Sequence, residues 1–336
     1  MTDFSRRGFL FSAAAELVPY PPVLAQMVEY AKAGVLESAV LRVESHGRLY
    51  ERAFGKARVD SPFLIASITK PMTATAAMIL CERGRLSLDD LASKHLPGVD
   101  KRLTLRHLLT HTSGLPDMLP DNDDLRRRNA PLSEFVKGAM KVPLAFEPGT
   151  KVQYQSMGIL LAAEIVERVS KRPLREFLHD ELFKPLGMSR TALGMGKYKM
   201  TDVVRSQVEP TPETTHWDWN SAYWRDLGAP WGGAHSTAAD IAAFLRAFAK
   251  PLGKPVSKAT ARMMTSNQAT GLTPGWGIGW SVSPKPFGHS GSTGTLCWAD
   301  MENQRDTIFV LLTSLPAAIS NKLIIDPVSK WARERM

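Results

Sequence analysis

A hydroxyl and an amine stand one helical turn apart in Ser67-Ile68-Thr69-Lys70. On a helix both would point the same way. A helix start offers backbone N–H groups without partners and the positive end of the dipole, which favour an attacking alkoxide and the oxyanion it creates. An amine in a dry cleft gives up part of its proton affinity and can then accept the proton of the serine. The pair would form an activated nucleophile. A Ser three places before a Lys also arises by chance, and a helix cap beside a solvated lysine is the plain alternative. Context shifts the balance toward chemistry. Lys70 is the only charged residue from Ser67 to Cys81, so a helix buried on most sides would carry the amine inward, where it needs a partner.

Tyr154 is the candidate partner. It follows the turn Phe146-Glu147-Pro148-Gly149-Thr150 and precedes a helix that opens at Ser156. A phenol titrates near about pH 10, but beside an ammonium its anion is favoured and it can relay protons. A half-buried tyrosine filling a cleft rim would sit in the same place. The third element is Gly288-His289-Ser290-Gly291-Ser292-Thr293-Gly294, which leads into a strand. So much glycine lets backbone approach a ligand closely. An N–H of Ser292 would complete an oxyanion hole with that of Ser67, and His289 or Ser290 would hydrogen-bond a substrate carboxylate or carbonyl. A flexible hairpin connection is the alternative.

The elements that must position these groups read as an α+β fold. A helix over Val23–Ala33 precedes strands over Ala39–Glu44 and Leu49–Phe54, joined by His46-Gly47. The sequence predicts further strands over Trp276–Val282, Thr295–Asp300 and Thr307–Thr313, and a closing helical segment Ala317–Arg335 with Pro327 as a start or kink. One antiparallel sheet from residues 26–66 and 250–336, flanked by the terminal helices, then receives a mostly helical region, 67–249, with the active site between them. Within that region the patterns predict helices over Ser67–Glu82, from Ser87-Leu88-Asp89-Asp90, over Thr104–Leu109, Ser156–Ser170 and Leu174–Leu182, and from Ser236 to Phe248. His111 to Pro116 stops the third of these. Residues 116–131 read as a long surface loop that walls a cleft. Trp217, Trp219, Trp224 and Trp231 either line an apolar acyl pocket or belong to the core.

The totals exclude several alternatives. The chain has 336 residues, 44% hydrophobic and 22% charged, the balance of a globular protein with a substantial core. The formal charge of +9 is scattered. Its densest cluster, Arg126-Arg127-Arg128, follows Asp121, Asp123 and Asp124, so the local field largely cancels and no nucleic-acid partner is expected. Cys81 and Cys297 read as buried free thiols. The eight histidines show no ligand spacing, so no metal or other cofactor is expected. No stretch is long and apolar enough for a membrane span. Residues 1–25 read as a twin-arginine export signal around Ser5-Arg6-Arg7-Gly8-Phe9-Leu10, closing near Leu24-Ala25-Gln26, or as a simple extension. The first reading places the protein in the periplasm or outside the cell, the second in the cytoplasm.

The matching pieces are Ile65-Ala66-Ser67-Ile68-Thr69-Lys70-Pro71, Leu108 to Leu115 with its His111-Thr112-Ser113-Gly114, Glu147-Pro148-Gly149-Thr150 with Tyr154, Gly232 to Asp240, and Gly288-His289-Ser290-Gly291. In that order and spacing the chain resembles the serine β-lactamase superfamily, closest to its class C branch and to the related carboxylesterases and D-stereospecific peptidases. The resemblance spans residues 27 to 313 and implies a β-lactamase/transpeptidase-like fold. It makes Ser67 the nucleophile, Lys70 its base partner and Tyr154 the tyrosine of the second motif. His289-Ser290-Gly291 takes the place of a lysine-threonine-glycine triplet. Ser156 stands where an asparagine would bind the substrate's amide side chain, and His289 replaces the lysine. Both departures count against β-lactam turnover and are similar to what esterases of the family tolerate. The expected function is a serine hydrolase working through an acyl-enzyme, foremost a carboxylesterase on small or medium acyl esters. The alternatives are a β-lactamase, a D-alanyl-D-alanine carboxypeptidase or D-aminopeptidase, and a non-catalytic binding protein on the same scaffold.

Overall fold

The computed structural model describes residues 21–208, 216–282, 286–302 and 306–336. The twin-arginine stretch lies outside them. The first helix, α1 (Pro22–Lys32), begins on a proline whose fixed φ suits a first turn. Strands β1 (Ser38–Ser45) and β2 (Arg48–Gly55) form the expected hairpin. His46 and Gly47 both take positive φ, 50° and 74°, as a two-residue turn matched to strand twist requires. A two-residue strand β3 (Phe63–Leu64) leads through a 3₁₀ turn, Ala66–Ile68, into α2 (Thr69–Glu82), which is buried almost to its end.

The middle of the chain holds α3 (Leu105–Leu109), α4 (Asn122–Arg127), α5 (Leu132–Lys141), α6 (Met157–Ser170) and α7 (Leu174–Leu178). It continues through β4 (Ala192–Leu193), α8 (Ala222–Leu227), β5 (Ala234–Ser236), α9 (Ala238–Ala249) and α10 (Lys258–Met264). Strands β6 (Phe287–Gly291), β7 (Thr295–Asp300) and β8 (Thr307–Thr313) follow. The chain closes with α11 (Ala317–Ser320), a π-helical turn over Asn321–Ile325, and α12 (Asp326–Arg335). Pro327 lies in the first turn of α12, where its missing N–H costs nothing.

The main sheet is antiparallel, ordered β2-β1-β8-β7-β6, so the two ends of the chain meet in adjacent strands β1 and β8. Alternation divides its side chains between two cores. Ala39, Leu41, Val43, Phe309 and Leu311 pack with Leu24 and Met27 of α1 and Val328 and Ala332 of α12. Val40, Cys297, Val310 and Leu312 face the opposite way, into the core that includes α2, α6 and α9. A second, three-stranded sheet, β3-β5-β4, was not anticipated, since strands of two or three residues carry no readable alternation.

Three expectations are corrected. Trp276–Val282 is a tight bend, in which Gly277 N–H donates to Trp280 O at 2.9 Å and only single bridges link Trp276 to Ser281 and Ser281 to Gly288. Its aromatic alternation mimics a strand, but Gly279 (φ 76°) passes so close to α2 that an added Cβ would lie 3.1 Å from Pro71 Cα. The edge strand is β6 instead. Ser87-Leu88-Asp89-Asp90 opens no α-helix; the Asp90 carboxylate accepts from Ser87 N–H (2.9 Å) and Lys94 (2.9 Å), Leu91 bridges to Thr104, and only a 3₁₀ turn, Ala92–Lys94, follows. The stretch 116–131 contains α4, whose acidic start (Asp123, Asp124) and basic end (Arg126, Arg127) match the helix dipole. Of the two thiols, Cys297 is buried as expected and Cys81 is partly exposed. No helix of the described residues is long and apolar enough to cross a membrane.

Candidate active site

Ser67 does not open an α-helix directly; it sits in the 3₁₀ turn before α2, one residue after Ala66, which takes a positive φ of 45°. That conformation costs a residue with a Cβ about 1–2 kcal/mol. Several bonds hold the turn. Ile65 N–H donates to Ala234 O (2.9 Å), Thr293 Oγ1 to Leu64 O (2.7 Å) and Thr295 Oγ1 to Ile65 O (3.0 Å). Thr69 Oγ1 donates to Ala66 O at 2.7 Å and accepts from Ala234 N–H at 3.1 Å. Gly291 of β6 must be small here, because a Cβ would meet Ile65 O at 2.6 Å and Ala66 Cβ at 3.0 Å. The sheet edge and β5 thus clamp the residue that presents the hydroxyl. Thr69→Val keeps the shape and removes both side-chain bonds, so it is expected to destabilise the fold by about 2 kcal/mol. Thermal unfolding measures this, and an unchanged midpoint would mean that the other clamps suffice.

Lys70 is 1% exposed. Its Nζ lies 3.0 Å from Ser67 Oγ and donates to Trp231 O at 2.9 Å. Burial lowers its pKa to about 7, and only the charge of Asp117 opposes the shift. At neutral pH a large share of the amine is therefore unprotonated, with a lone pair facing the serine hydroxyl.

Tyr154 faces the same point. Lys70 Nζ stands 4.7 Å from its ring centroid, and Ser67 is near enough to act on its hydroxyl. Its titration is a correction to the tyrosinate expectation: burial drives the phenol above its ordinary value, against the smaller effect of Ser67. Tyr154 therefore stays a neutral phenol, and the nearby charge of Asp117 acts in the same direction as burial.

His289 is 5% exposed and neutral, its pKa lowered to about 3 by burial and by Lys70. Its Nδ1 lies 2.7 Å from Ser290 O, which can only accept, so the proton is on Nδ1. Nε2 is buried with no partner among the described residues. In this tautomer Nε2 is an acceptor, and of the pair expected to hydrogen-bond a substrate carboxylate or carbonyl it is the Ser290 hydroxyl that is able to donate. Ser290 and Ser292 are exposed on the cavity wall.

Ser156 is buried and donates to Asp117 Oδ1 at 2.6 Å. The side chain at the asparagine position is thus engaged with the protein. Ser67, Tyr154, Ser156, His289, Ser290, Gly291 and Ser292 line one cavity of about 680 Å³, with Lys70 packed beneath the nucleophile. Trp219, Trp224, Trp231 and Trp276 wall it. Trp217 lies behind, 5.4 Å from Trp224 between ring centroids.

Four residues with a part in this architecture escaped sequence reading. His111 (φ 59°) accepts a bond on Nδ1 from Gln155 N–H at 3.2 Å and packs its ring 4.6 Å from that of Tyr154. Gln155 Oε1 accepts from Ser113 Oγ at 2.7 Å, tying the His111-to-Leu115 segment to the start of α6. Their signal was present in the motif, without a role attached. Asp117 and Arg126 also reach the cavity, from a stretch read only as a wall.

Known proteins resemble this chain in family and in fold. The family model described as beta-lactamase matches residues 24–322. Protein flp of Staphylococcus aureus (strain MW2) is 29% identical over 213 residues, covering 56% of this chain and 43% of its own length. Esterase EstB of Burkholderia gladioli is 35% identical over 181 residues, 46% of each chain. The matches thus span less than half the length of these relatives. Among solved structures, EstCE1, a hydrolase with promiscuous acyltransferase activity, superposes with a TM-score of 0.73 at 19% identity, covering 93% of this chain and 96% of the other. The D-amino acid amidase of Ochrobactrum anthropi SV3, complexed with L-phenylalanine amide, gives 0.73 at 20% identity, covering 92% and 99%. At such identities these likenesses concern the fold.

Proposed function

The chain belongs to the beta-lactamase family, and from that premise we propose that it is a serine hydrolase working through an acyl-enzyme, a carboxylesterase on small or medium acyl esters. The observation that carries this reading is the buried Lys70 amine, 3.0 Å from Ser67 Oγ, at the floor of a tryptophan-walled cavity. Unprotonated Lys70 accepts the serine proton as Oγ adds to the ester carbonyl. The neutral Tyr154 phenol passes a proton toward the departing alcohol, receiving one in exchange from the Lys70 ammonium. The oxyanion is held between the N–H groups of Ser67 and Ser292. The tetrahedral intermediate then collapses, the alcohol leaves, and the acyl group remains on Ser67. Water repeats the sequence and frees the acid.

Ester preference rests on Ser156. Its hydroxyl is committed to Asp117, which removes the side chain that would read an amide next to the scissile bond. The apolar walls suit an acyl chain instead. The test is a panel of p-nitrophenyl esters beside a chromogenic cephalosporin and a D-alanyl peptide, with intact-mass detection of the acyl-enzyme. Ester turnover with an adduct on Ser67 is expected. Efficient cephalosporin or peptide hydrolysis with negligible ester turnover would reverse the substrate assignment, and a chain that turns over nothing and never gains the adduct mass of an activated phosphonate would favour a binding protein.

A further inference from the structure

The three arginines that follow the acidic start of α4 do not share one fate. Arg127 and Arg128 are exposed and paired with carboxylates, Arg127 with Asp124 at 3.7 Å and Arg128 with Asp124 at 3.2 Å and Glu134 at 2.6 Å. Arg126 turns inward. It is 8% exposed and lines the cavity that holds Ser67. Its guanidinium carbon lies 4.3 Å from the ring centroid of Trp217 and 4.5 Å from that of Trp224. Its Nη2 meets only a thioether, Met118 Sδ at 3.4 Å, and its Nε is buried without a partner. Among the described residues no carboxylate comes within ion-pair distance of it. Asp117, on the same wall, is held by the Ser156 hydroxyl.

Asp123 and Asp117 act on Arg126 only from beyond ion-pair distance; a buried cation placed so is expensive, and aromatic faces offset only part of that cost. The planar fork of an arginine pre-set between rings suits two-point recognition of a carboxylate. Burial lowers the Arg126 pKa to about 10, which leaves it charged at neutral pH. We propose that Arg126 is the carboxylate-recognising residue of the cavity, so that the preferred substrates are esters bearing a free carboxylate away from the scissile bond. This rests on the hydrolase reading above and narrows its substrate class.

Two sets of matched ester pairs test it. The first compares p-nitrophenyl monoesters of succinic, glutaric and adipic acid with p-nitrophenyl esters of the corresponding neutral acids, placing the charge on the acyl arm. The second compares 4-acetoxybenzoate with 4-acetoxybenzamide, placing it on the leaving arm. In the wild-type chain kcat/KM is expected to favour the charged member of at least one pair by about 10-fold or more, the worth of a charge-assisted bond. In Arg126→Met, which keeps an apolar stem between the tryptophans, that ratio should collapse toward unity, and in Arg126→Lys it should fall part of the way. A wild-type measurement independent of any variant's folding is inhibition of neutral-ester hydrolysis, where glutarate should compete and glutaramide should not. Turnover of both members without preference in any pair, or a ratio that Arg126→Met leaves intact, would overturn the assignment while leaving the hydrolase reading standing. Failure of every ester to react or to label Ser67 would overturn both.

Discussion

Ser67→Ala is expected to lower ester turnover by on the order of 10⁴- to 10⁶-fold, the loss seen when a nucleophile is removed from a site whose parts act as a unit. Covalent labelling by an activated phosphonate should vanish with it. The fold should survive. Ser67 is only partly buried, and the substitution removes one hydroxyl while leaving Lys70 its bond to Trp231 O. The backbone clamps on the turn, from Thr69, Thr293 and Thr295, do not use the Ser67 side chain. Intact-mass analysis after labelling, read beside a thermal unfolding curve, checks both halves. A variant that still gains the adduct would show that the reactive hydroxyl lies elsewhere.

Lys70→Met should cost about 10²- to 10⁴-fold in kcat/KM, the usual worth of a positioned general base. The same residue sets the pH dependence. Catalysis needs the free amine, and the pKa is lowered to about 7, so wild-type kcat/KM should rise with pH and level off above about 7. Below that point it should fall about tenfold per pH unit, as for one essential deprotonation. A profile flat from pH 5 to 8, or a variant with near-normal turnover, would remove Lys70 from the proposed mechanism.

The substitution has an opposite consequence for stability. In the unfolded chain the amine holds its proton up to the ordinary lysine value of 10.5, whereas in the folded chain it releases it near 7. Between these values unfolding takes up a proton, so stability rises with pH; below about 7 the folded chain carries the full cost of the buried charge. Lys70→Met removes that cost. It should therefore be more stable than wild type, by about 1–4 kcal/mol in the acid range, with the gain shrinking as pH rises from 7 toward 10. Denaturant midpoints measured at pH 6 and pH 9.5 give the difference directly. A gain that grows with pH would contradict the sign.

Much of the framework was legible because it is encoded locally. The His46-Gly47 turn, the short apolar runs of β1, β7 and β8 bounded by polar residues, and the apolar run of α2 declare themselves by length and by residue type. The elements that were misread depend on distant partners. Trp276 to Val282 alternates like a strand, yet Gly279 must pass over Pro71, and Trp280 seals against Phe244 with ring centroids 5.3 Å apart. The Asp90 carboxylate takes the Ser87 N–H as a capping box would, yet Leu91 pairs with the distant Thr104 and only a 3₁₀ turn follows.

The same division runs through the site. By itself the sequence determined which groups could react, since hydroxyl, amine and phenol are fixed by residue type, and the turn of helix between Ser67 and Lys70 brings two of them together. It also determined the antiparallel α+β framework, whose hydrophobic periods are set residue by residue. Only tertiary structure decided how those groups ionise. Burial lowers the pKa of Lys70, keeps Tyr154 a phenol and makes His289 neutral, and no local pattern records how much water a position loses. The same holds for charge. Arg126, Arg127 and Arg128 are equivalent as text, and it is the packing of α4 against Trp217 and Trp224 that turns one of them into the cavity while its neighbours are neutralised at the surface.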